Sequence, residues 1–166
     1  MFSIEKVNEM SKPQFVKEIG HVYENSPWVA EAAWIFTGFK DIQHLKDAMK
    51  NKVITTNHQK QIQLLCAHPD LGARLEMTDA SKKEQTQAGL NELTEKEYET
   101  FLRLNTSYVN KFGFPFIVAV KEHNKESVQK QMELRLENNQ EQELKKALNE
   151  VCKIAGYRLD EIIKST

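Results

Sequence analysis

The stretch LKKALNEVCKIAGYRLDEI, residues 144–162, predicts a long helix that is buried along one face. Its apolar residues recur at the three- and four-residue steps of a buried helix face, and they are Leu144, Leu148, Val151, Ala155 and Ile162. Arg158 falls on the same stripe. A buried guanidinium without a partner is strongly unfavourable. We therefore expect Arg158 either to pair with a protein carboxylate, as most inward-leaning arginines do, or to face a cavity that binds an anion.

Length and composition predict one globular domain over residues 1–166. Hydrophobic residues make up 40% of the chain and charged residues 28%, and 23 basic residues nearly balance 24 acidic ones. The sequence has no basic arm, which argues against nucleic acid as a partner. No apolar run is long enough to span a membrane, and no signal-peptide core begins the chain, so we expect no membrane partner and a cytoplasmic protein. Cys66 and Cys152 fit neither a disulfide framework nor a metal site, and we expect two buried thiols and no metal.

Few turn-forming residues and repeated helical periodicity predict an all-α, single-domain helical bundle. The expected helices cover residues 11–24, 27–36, 41 onward, 56–67, 81 onward, 94 onward, 125–136 and 140–164. The second of these lies in the core, and Ile62, Leu65, Cys66 and Leu102 belong to buried faces. Residues 112–120 form a continuous apolar run interrupted by Gly113 and Pro115. Because the chain offers this run no strand partner, it is expected to be a short buried extended segment.

A first candidate motif, His68-Pro69-Asp70-Leu71-Gly72, follows the end of a predicted helix. Proline fixes the backbone after the histidine and removes an N–H donor, so the imidazole ring can be held in one direction. The negative end of the helix dipole favours the protonated ring, and histidine titrates close to neutral pH. A His-Pro pair in this position is also a common helix stop.

The second candidate motif is Ser81-Lys82-Lys83-Glu84-Gln85. Serine followed three residues later by glutamate is the capping-box pattern, in which both side chains satisfy N–H groups at a helix start. A glutamate used in this way is not available to a ligand. Alternatively, Ser81, Glu84 and Gln85 form a polar rim for a carboxylated or ureido substrate.

The third motif, Lys111 to Ala119, has the sequence KFGFPFIVA and is rich in phenylalanine. Its aromatic side chains are expected to pack in the core. Its backbone is not helical, so N–H and C=O groups remain that a ligand rich in amide-like groups can satisfy.

Together these motifs resemble the 2-oxo-4-hydroxy-4-carboxy-5-ureidoimidazoline (OHCU) decarboxylase family. The resemblance rests on HPDLG at 68–72, S-x-x-EQ-x-QAGL at 81–90, LN-x-x-Y at 104–108, KFGFPFIVAV at 111–120 and KIAGYRL at 153–159. It implies an all-helical homodimer that needs neither cofactor nor metal. The implied reaction is decarboxylation of OHCU to S-(+)-allantoin in urate degradation. The resemblance also implies a possible functional or covalent association with urate oxidase.

The resemblance carries site residues onto this chain. His68 and Glu84 correspond to the catalytic residues of the family. The residues implied to bind substrate are Pro69, Ser81, Gln85, Ile117, Val118 and Arg158, with Ile117 and Val118 acting through their backbone. We expect the side chains of His68, Ser81, Glu84 and Arg158 to line one pocket, with the backbone of Ile117 on its wall. Arg74 and Arg135 match no functional position and are interpreted as structural or surface residues.

Two alternatives remain open on the sequence alone. A helical interaction module would pair Arg158 internally and use Ser81 and Glu84 as a true capping box. Hydrolysis of a related ureido compound is the other alternative, but the sequence shows neither a metal cluster nor a nucleophile–base pair to support it.

Overall fold

The computed structural model describes residues 1–74 and 76–165, and in these ranges the regular structure is helical. The α-helices in chain order are α1 (Ile4–Asn8), α2 (Lys12–Ile19), α3 (Trp28–Ala33), α4 (Ile42–Thr55), α5 (His58–Cys66), α6 (Asp79–Gln87), α7 (Glu95–Phe112), α8 (Lys125–Arg135) and α9 (Gln140–Ile162). Short 3-10 turns cover Gly20–Val22, Trp34–Phe36 and Val120–Glu122. A single bridge between Phe2 and Ile163 is the strand-like pairing found in the described residues. The predicted all-α class is confirmed.

The chain divides into two compact units. The first consists of Met1–Ala67 together with the chain from Val151 onward. It contains α1 to α5 and the C-terminal part of α9, and its fully buried side chains include Val7, Phe15, Ile19, Val29, Leu45, Met49, Val53 and Leu159. The second unit is His68–Glu150, with α6 to α8 and the first part of α9. Its buried side chains include Phe101, Tyr108, Phe114, Phe116, Val128, Met132 and Ala147.

Several helices are capped at their N-termini by short polar side chains. The side chains of Ser11 and Asp41 cap α2 and α4, and Thr94 forms a capping box with Glu97 at the start of α7. Each of these side chains accepts a hydrogen bond from a backbone N–H that has no partner inside the helix. The predicted starts of these three helices are confirmed. Helix α1, capped by Ser3, was not among the predicted helices.

Several predictions of burial were wrong. Ile35 and Phe36 are 68% and 46% exposed because α3 ends at Ala33 and a 3-10 turn rotates the following residues out of the apolar stripe. Leu102 is exposed because the inward face of α7 contains Leu104 instead. Cys66 is also exposed, and its place on the buried face of α5 is taken by Leu64.

The apolar run at residues 112–120 does form a buried extended segment. Helix α7 ends at Gly113, which adopts a left-handed conformation with φ 81°. Residues 114–119 are neither helical nor paired as a strand, and all of them are buried. The Tyr108 ring packs against Phe112, Phe114 and Phe116, with centroid distances of 4.6, 5.9 and 5.4 Å. This aromatic cluster fixes the segment to α7. None of the helices in the described residues is long and apolar enough for a membrane span.

Candidate active site

The His-Pro motif begins directly after α5. Ala67 is the C-cap of this helix and its N–H still bonds to the carbonyl of Gln63, while Pro69 prevents further helix. His68 is half-buried. Gly72 turns the chain at φ 73°, and a Cβ atom there would lie 2.8 Å from Leu93. The positive φ and the close approach of Leu93 both favour glycine at the end of the motif.

Gln85 of α6 holds this loop from the inside. Its Oε1 accepts a hydrogen bond from the N–H of Gly72 at 2.9 Å, and its Nε2 lies 3.5 Å from the carbonyl of Asp70. Gln85 is 5% exposed, so these bonds are shielded from water. Burial also raises the pKa of the Asp70 carboxyl. The structure thus joins the first two sequence motifs through Gln85, which was predicted to bind substrate and here binds the loop backbone.

The cap of helix α6 lies three residues earlier than predicted, at Thr78 instead of Ser81, which changes the interpretation of Ser81 and Glu84. The cap is Thr78, whose hydroxyl accepts a hydrogen bond from the N–H of Ser81 at 3.3 Å. Ser81 is therefore inside the first turn and buried, and the capping-box interpretation was wrong. With Thr78 as the cap, Glu84 does not stand at the capping-box position, and its carboxylate is half-buried. The three- and four-residue spacing places Ser81, Glu84 and Gln85 on one side of α6.

The extended segment is held by charged side chains. Nη1 of Arg135 donates to the carbonyl of Ile117 at 2.6 Å, and Oε1 of Glu150 accepts from the N–H of Ala119 at 3.2 Å. These bonds fix the peptide groups on both sides of Val118. The backbone of Ile117 and Val118 therefore has a defined geometry, as a backbone binding wall requires.

Arg135 belongs to a buried ionic cluster that the sequence did not reveal. Its guanidinium pairs with Glu143 at 2.9 Å, and Tyr108 donates its hydroxyl proton to the same carboxylate. Desolvation raises the pKa of Glu143, but hydrogen bonds from Arg135, Tyr108 and Asn138 outweigh it, so the pKa is lowered. Burial, followed by the hydrogen bond to Glu143, raises the pKa of Tyr108. Arg135 is structural, as interpreted from sequence, and the structure assigns it to the core rather than the surface.

Arg158 lies in the first unit and is buried, with 5% of its surface exposed. Its Nη2 pairs with the carboxylate of Glu24 at 2.9 Å, and Nη1 lies 3.4 Å from the carbonyl of Val22. Glu24 is itself 2% exposed. The predicted burial of Arg158 is confirmed, and of the two arrangements expected for it the structure shows pairing with a carboxylate. No sequence pattern identified Glu24 as that partner.

A separate cavity of about 570 Å³ borders α6 in the second unit. It is lined by Ala73, Arg74, Glu76, Met77, Asp79, Lys82, Gln85, Thr86, Leu90 and Asn91. One of its cations, Arg74, is already paired with Glu95 at 2.6 Å and stacked on the Tyr98 ring. The lining includes Gln85 but neither His68 nor Glu84, so we do not assign the chemistry to this cavity.

Comparison with known proteins identifies relatives over nearly the whole chain. The sequence profile of the family described as OHCU decarboxylase matches residues 8–160. The 2-oxo-4-hydroxy-4-carboxy-5-ureidoimidazoline decarboxylase of Halalkalicoccus jeotgali is 48% identical over 160 residues, covering 96% of this chain and 91% of the relative. A protein of Bacillus sp. (strain TB-90), named uric acid degradation bifunctional protein, is 42% identical over 99% of this chain, which spans 33% of that protein.

The fold has a close match among solved structures. The crystal structure of an (S)-allantoin synthase superposes with a TM-score of 0.82 at 32% identity, over 99% of this chain and 54% of that one. The similarity in sequence and the similarity in fold thus point to the same family. The chain belongs to the OHCU decarboxylase family.

Proposed function

We infer that this protein is a carboxy-lyase that converts OHCU to (S)-allantoin in urate degradation. Family membership across residues 8–160 carries this inference, and the name of the solved neighbour, (S)-allantoin synthase, supports the chirality of the product. Neither a cofactor nor a metal is required by the chemistry that we assign to the residues below.

The substrate itself supplies the electron sink. Its ring carbon 4 bears both a hydroxyl and a carboxylate, and the neighbouring carbon 5 is joined to nitrogen by a double bond. When the bond to the carboxylate breaks, CO2 leaves and the electron pair flows into that carbon–nitrogen double bond, which takes up a proton at nitrogen. The resulting enol-amine loses its hydroxyl proton and gains a proton at carbon 5, which gives allantoin.

We propose that His68 interacts with the hydroxyl group on carbon 4 of the substrate. An imidazole titrates near neutral pH, so it can orient the hydroxyl group and accept its proton at little cost. The fixed path of the loop from Pro69 to Gly72, held by Gln85, supports this role because a general base must be held within hydrogen-bond reach of its proton. Glu84 either binds the ureido and ring N–H groups or takes part in proton transfer.

The remaining substrate contacts are proposed for polar side chains and backbone. Pro69 directly follows His68, and Ser81 lies three residues before Glu84 on the same side of α6. The backbone of Ile117 and Val118 offers peptide groups to the ring and ureido amides. Arg158 is proposed to neutralise the carboxylate or bind a carbonyl oxygen.

The interaction-module alternative is favoured by one observation and opposed by another. It predicted that Arg158 pairs internally, and Arg158 does pair with Glu24. It also predicted a capping box formed by Ser81 and Glu84, whereas Thr78 is the cap of α6. The cap at Thr78 therefore contradicts one of the two contacts that the module predicted for these motifs.

The first test is kinetic and concerns His68. Freshly generated OHCU is mixed with the protein, and its absorbance decay is compared with the uncatalysed decay. We expect His68→Gln to lower kcat by at least ~100-fold while the far-ultraviolet circular dichroism stays unchanged. His58→Gln, at an exposed histidine in α5, is the matched control and should retain normal turnover. Normal turnover in the His68 variant would remove this residue from the chemistry.

The second test separates binding from catalysis. Arg158→Lys keeps the charge but loses the planar fork, so it should chiefly raise KM. Arg74→Lys makes the same replacement at an exposed arginine paired with Glu95 and should leave KM unchanged. An unchanged KM in Arg158→Lys would show that this arginine serves only its ion pair with Glu24.

Further proposals concern assembly and context. We propose that residues 1–166 form one decarboxylase domain and that two copies form a homodimer, to be checked by light scattering after gel filtration. Cys66 and Cys152 are not joined in a disulfide, which supports a reducing, cytoplasmic location, to be checked by cell fractionation. The bifunctional Bacillus relative supports an association with urate oxidase, to be checked by titrating the two proteins in sedimentation velocity.

A further inference from the structure

We propose that Asn105 is a positioning residue for His68, acting through the backbone of the loop that follows it. This proposal rests on the proposed function, in which His68 carries the chemistry. Asn105 is part of the LN-x-x-Y motif at 104–108, to which the reaction described above gives no role. Its side chain does not need to contact the substrate for this role.

The geometry that carries the proposal is a hydrogen bond to the loop. Asn105 lies on the inner face of α7 and is 4% exposed. Its Nδ2 donates to the carbonyl of Leu71 at 2.9 Å. The next residue, Gly72, donates its N–H to Gln85 at 2.9 Å. Two buried amide side chains, from α7 and α6, therefore hold consecutive residues of the loop.

This anchoring is transmitted to His68 by a short and stiff connection. Only Pro69 and Asp70 separate His68 from Leu71, and the φ angle of Pro69 is fixed by its ring. If Leu71 moves, few rotatable bonds are available to absorb the displacement before it reaches the histidine. A shift of about 1 Å in a catalytic group is enough to cost up to ~100-fold in rate.

The amide oxygen of Asn105 indicates that asparagine does more at this position than fill space. Oδ1 of Asn105 is buried and has no hydrogen-bond partner among the described residues. A buried acceptor without a partner is destabilising, and a leucine, which branches in the same way but has no polar atoms, would avoid this penalty. Leucine cannot donate to the carbonyl of Leu71, however. The donor is therefore what distinguishes asparagine from an apolar residue at this position.

A spectroscopic experiment tests the anchoring independently of any activity. We would follow the His68 ring by 15N–1H correlation spectra and the Gly72 amide by hydrogen exchange, in the wild-type protein and in Asn105→Leu. We expect the exchange of the Gly72 amide to rise at least about tenfold and the His68 ring signals to shift or broaden. Unchanged His68 and Gly72 signals in a folded variant would overturn the proposal.

A matched control exists in the first unit. Asn8 holds the backbone of Phe39 in the same manner, with Nδ2 donating to its carbonyl at 2.9 Å and Oδ1 accepting its N–H at 2.9 Å. Asn8→Ala should lower stability and leave the His68 ring signals unchanged. If Asn105→Leu does not fold, Asn105→Ala, which adds no bulk, is measured in the same way.

Kinetics then test whether the anchoring acts through His68. Asn105→Leu should lower kcat about tenfold with little change in KM. In the His68→Gln background the same replacement should have almost no further effect on kcat, because the group that it positions is gone. Additive losses would assign Asn105 a merely structural role and overturn the proposal. Failure of the wild-type protein to decarboxylate OHCU would instead refute the proposed function, while the spectra still decide whether Asn105 positions His68.

Discussion

Replacement of Arg135 by methionine should destabilise the protein far more than removal of any surface charge. Arg135 is 3% exposed and its partner Glu143 is fully buried. The guanidinium donates through Nε to Glu143 at 3.0 Å and through Nη1 to the carbonyl of Ile117 at 2.6 Å. Methionine fills much of the same space but donates no hydrogen bond, so the variant leaves a buried carboxylate and a buried carbonyl without their partner.

The loss of stability expected for Arg135→Met is set mainly by the Glu143 carboxylate, which remains buried without the guanidinium. Removing one member of a buried ion pair costs about 3–5 kcal/mol, because the remaining charge keeps its desolvation penalty. For a protein of this length, each kcal/mol lowers Tm by roughly 2–4 °C, so the expected decrease is roughly 6–20 °C. Arg74→Met is the matched control. Arg74 and Glu95 are both largely exposed, and such pairs contribute about 0–1 kcal/mol.

Urea unfolding, followed by circular dichroism, measures both variants. A double replacement, Arg135→Met with Glu143→Leu, sharpens the test because it removes the unpaired carboxylate as well. We expect the double variant to be more stable than Arg135→Met alone. Two results would refute the reasoning about this cluster. Either Arg135→Met loses no more stability than Arg74→Met, or Glu143→Leu lowers the stability of Arg135→Met further.

Three other predictions follow from the described contacts. Thr78→Ala should lower the free energy of unfolding in urea by about 1 kcal/mol because it removes the cap of α6. Ser81→Ala should leave the helix start intact and lower the activity. Equal losses of stability in the two variants would contradict the assignment of the cap. Because hydrogen bonds lower the pKa of Glu143, the contribution of its carboxylate to stability is complete above pH 4.5 and is lost as the pH falls further. Glu143→Gln should therefore flatten the acid side of a stability–pH curve. An unchanged slope would contradict this prediction. Iodoacetamide should modify the exposed Cys66 before the half-buried Cys152, as peptide mass spectrometry would show, and the reverse order would contradict the burial of Cys152.

The sequence predicted the helical class and the most unusual buried charge, but not the ends of several helices. The stripe on α9 correctly placed Arg158 in the core because a long helix repeats its period several times. The same reasoning failed for Ile35 and Phe36 because a run of apolar residues shows no period and does not reveal where a helix ends. It also failed for α6, where Thr78 and Ser81 are both acceptable caps and only the position of the first turn distinguishes them.

The motifs of the site could be identified from sequence, but the distant residues that hydrogen-bond to them could not. HPDLG and the serine–glutamate motif are local strings that a resemblance can match residue by residue. The partners that hold them come from distant positions: Asn105 bonds to Leu71 across 34 residues, and Arg135 bonds to Ile117 across 18. One signal was present, since Asn105 is a polar residue on the buried face of a helix, as is Arg158. A buried asparagine, like a buried arginine, needs a hydrogen-bond partner, so its position on the stripe predicts a polar contact.

The most direct test of the central claim is the chirality of the allantoin that is formed. OHCU decays unaided to racemic allantoin, so its disappearance alone does not show catalysis. A protein that shields one face of the enol-amine delivers a proton to carbon 5 from the other face only. We predict that wild-type protein added to freshly generated OHCU gives a rising circular-dichroism signal of the S enantiomer, and that His68→Gln does not. Racemic allantoin formed at the uncatalysed rate in the presence of the folded wild-type protein would contradict the decarboxylase assignment.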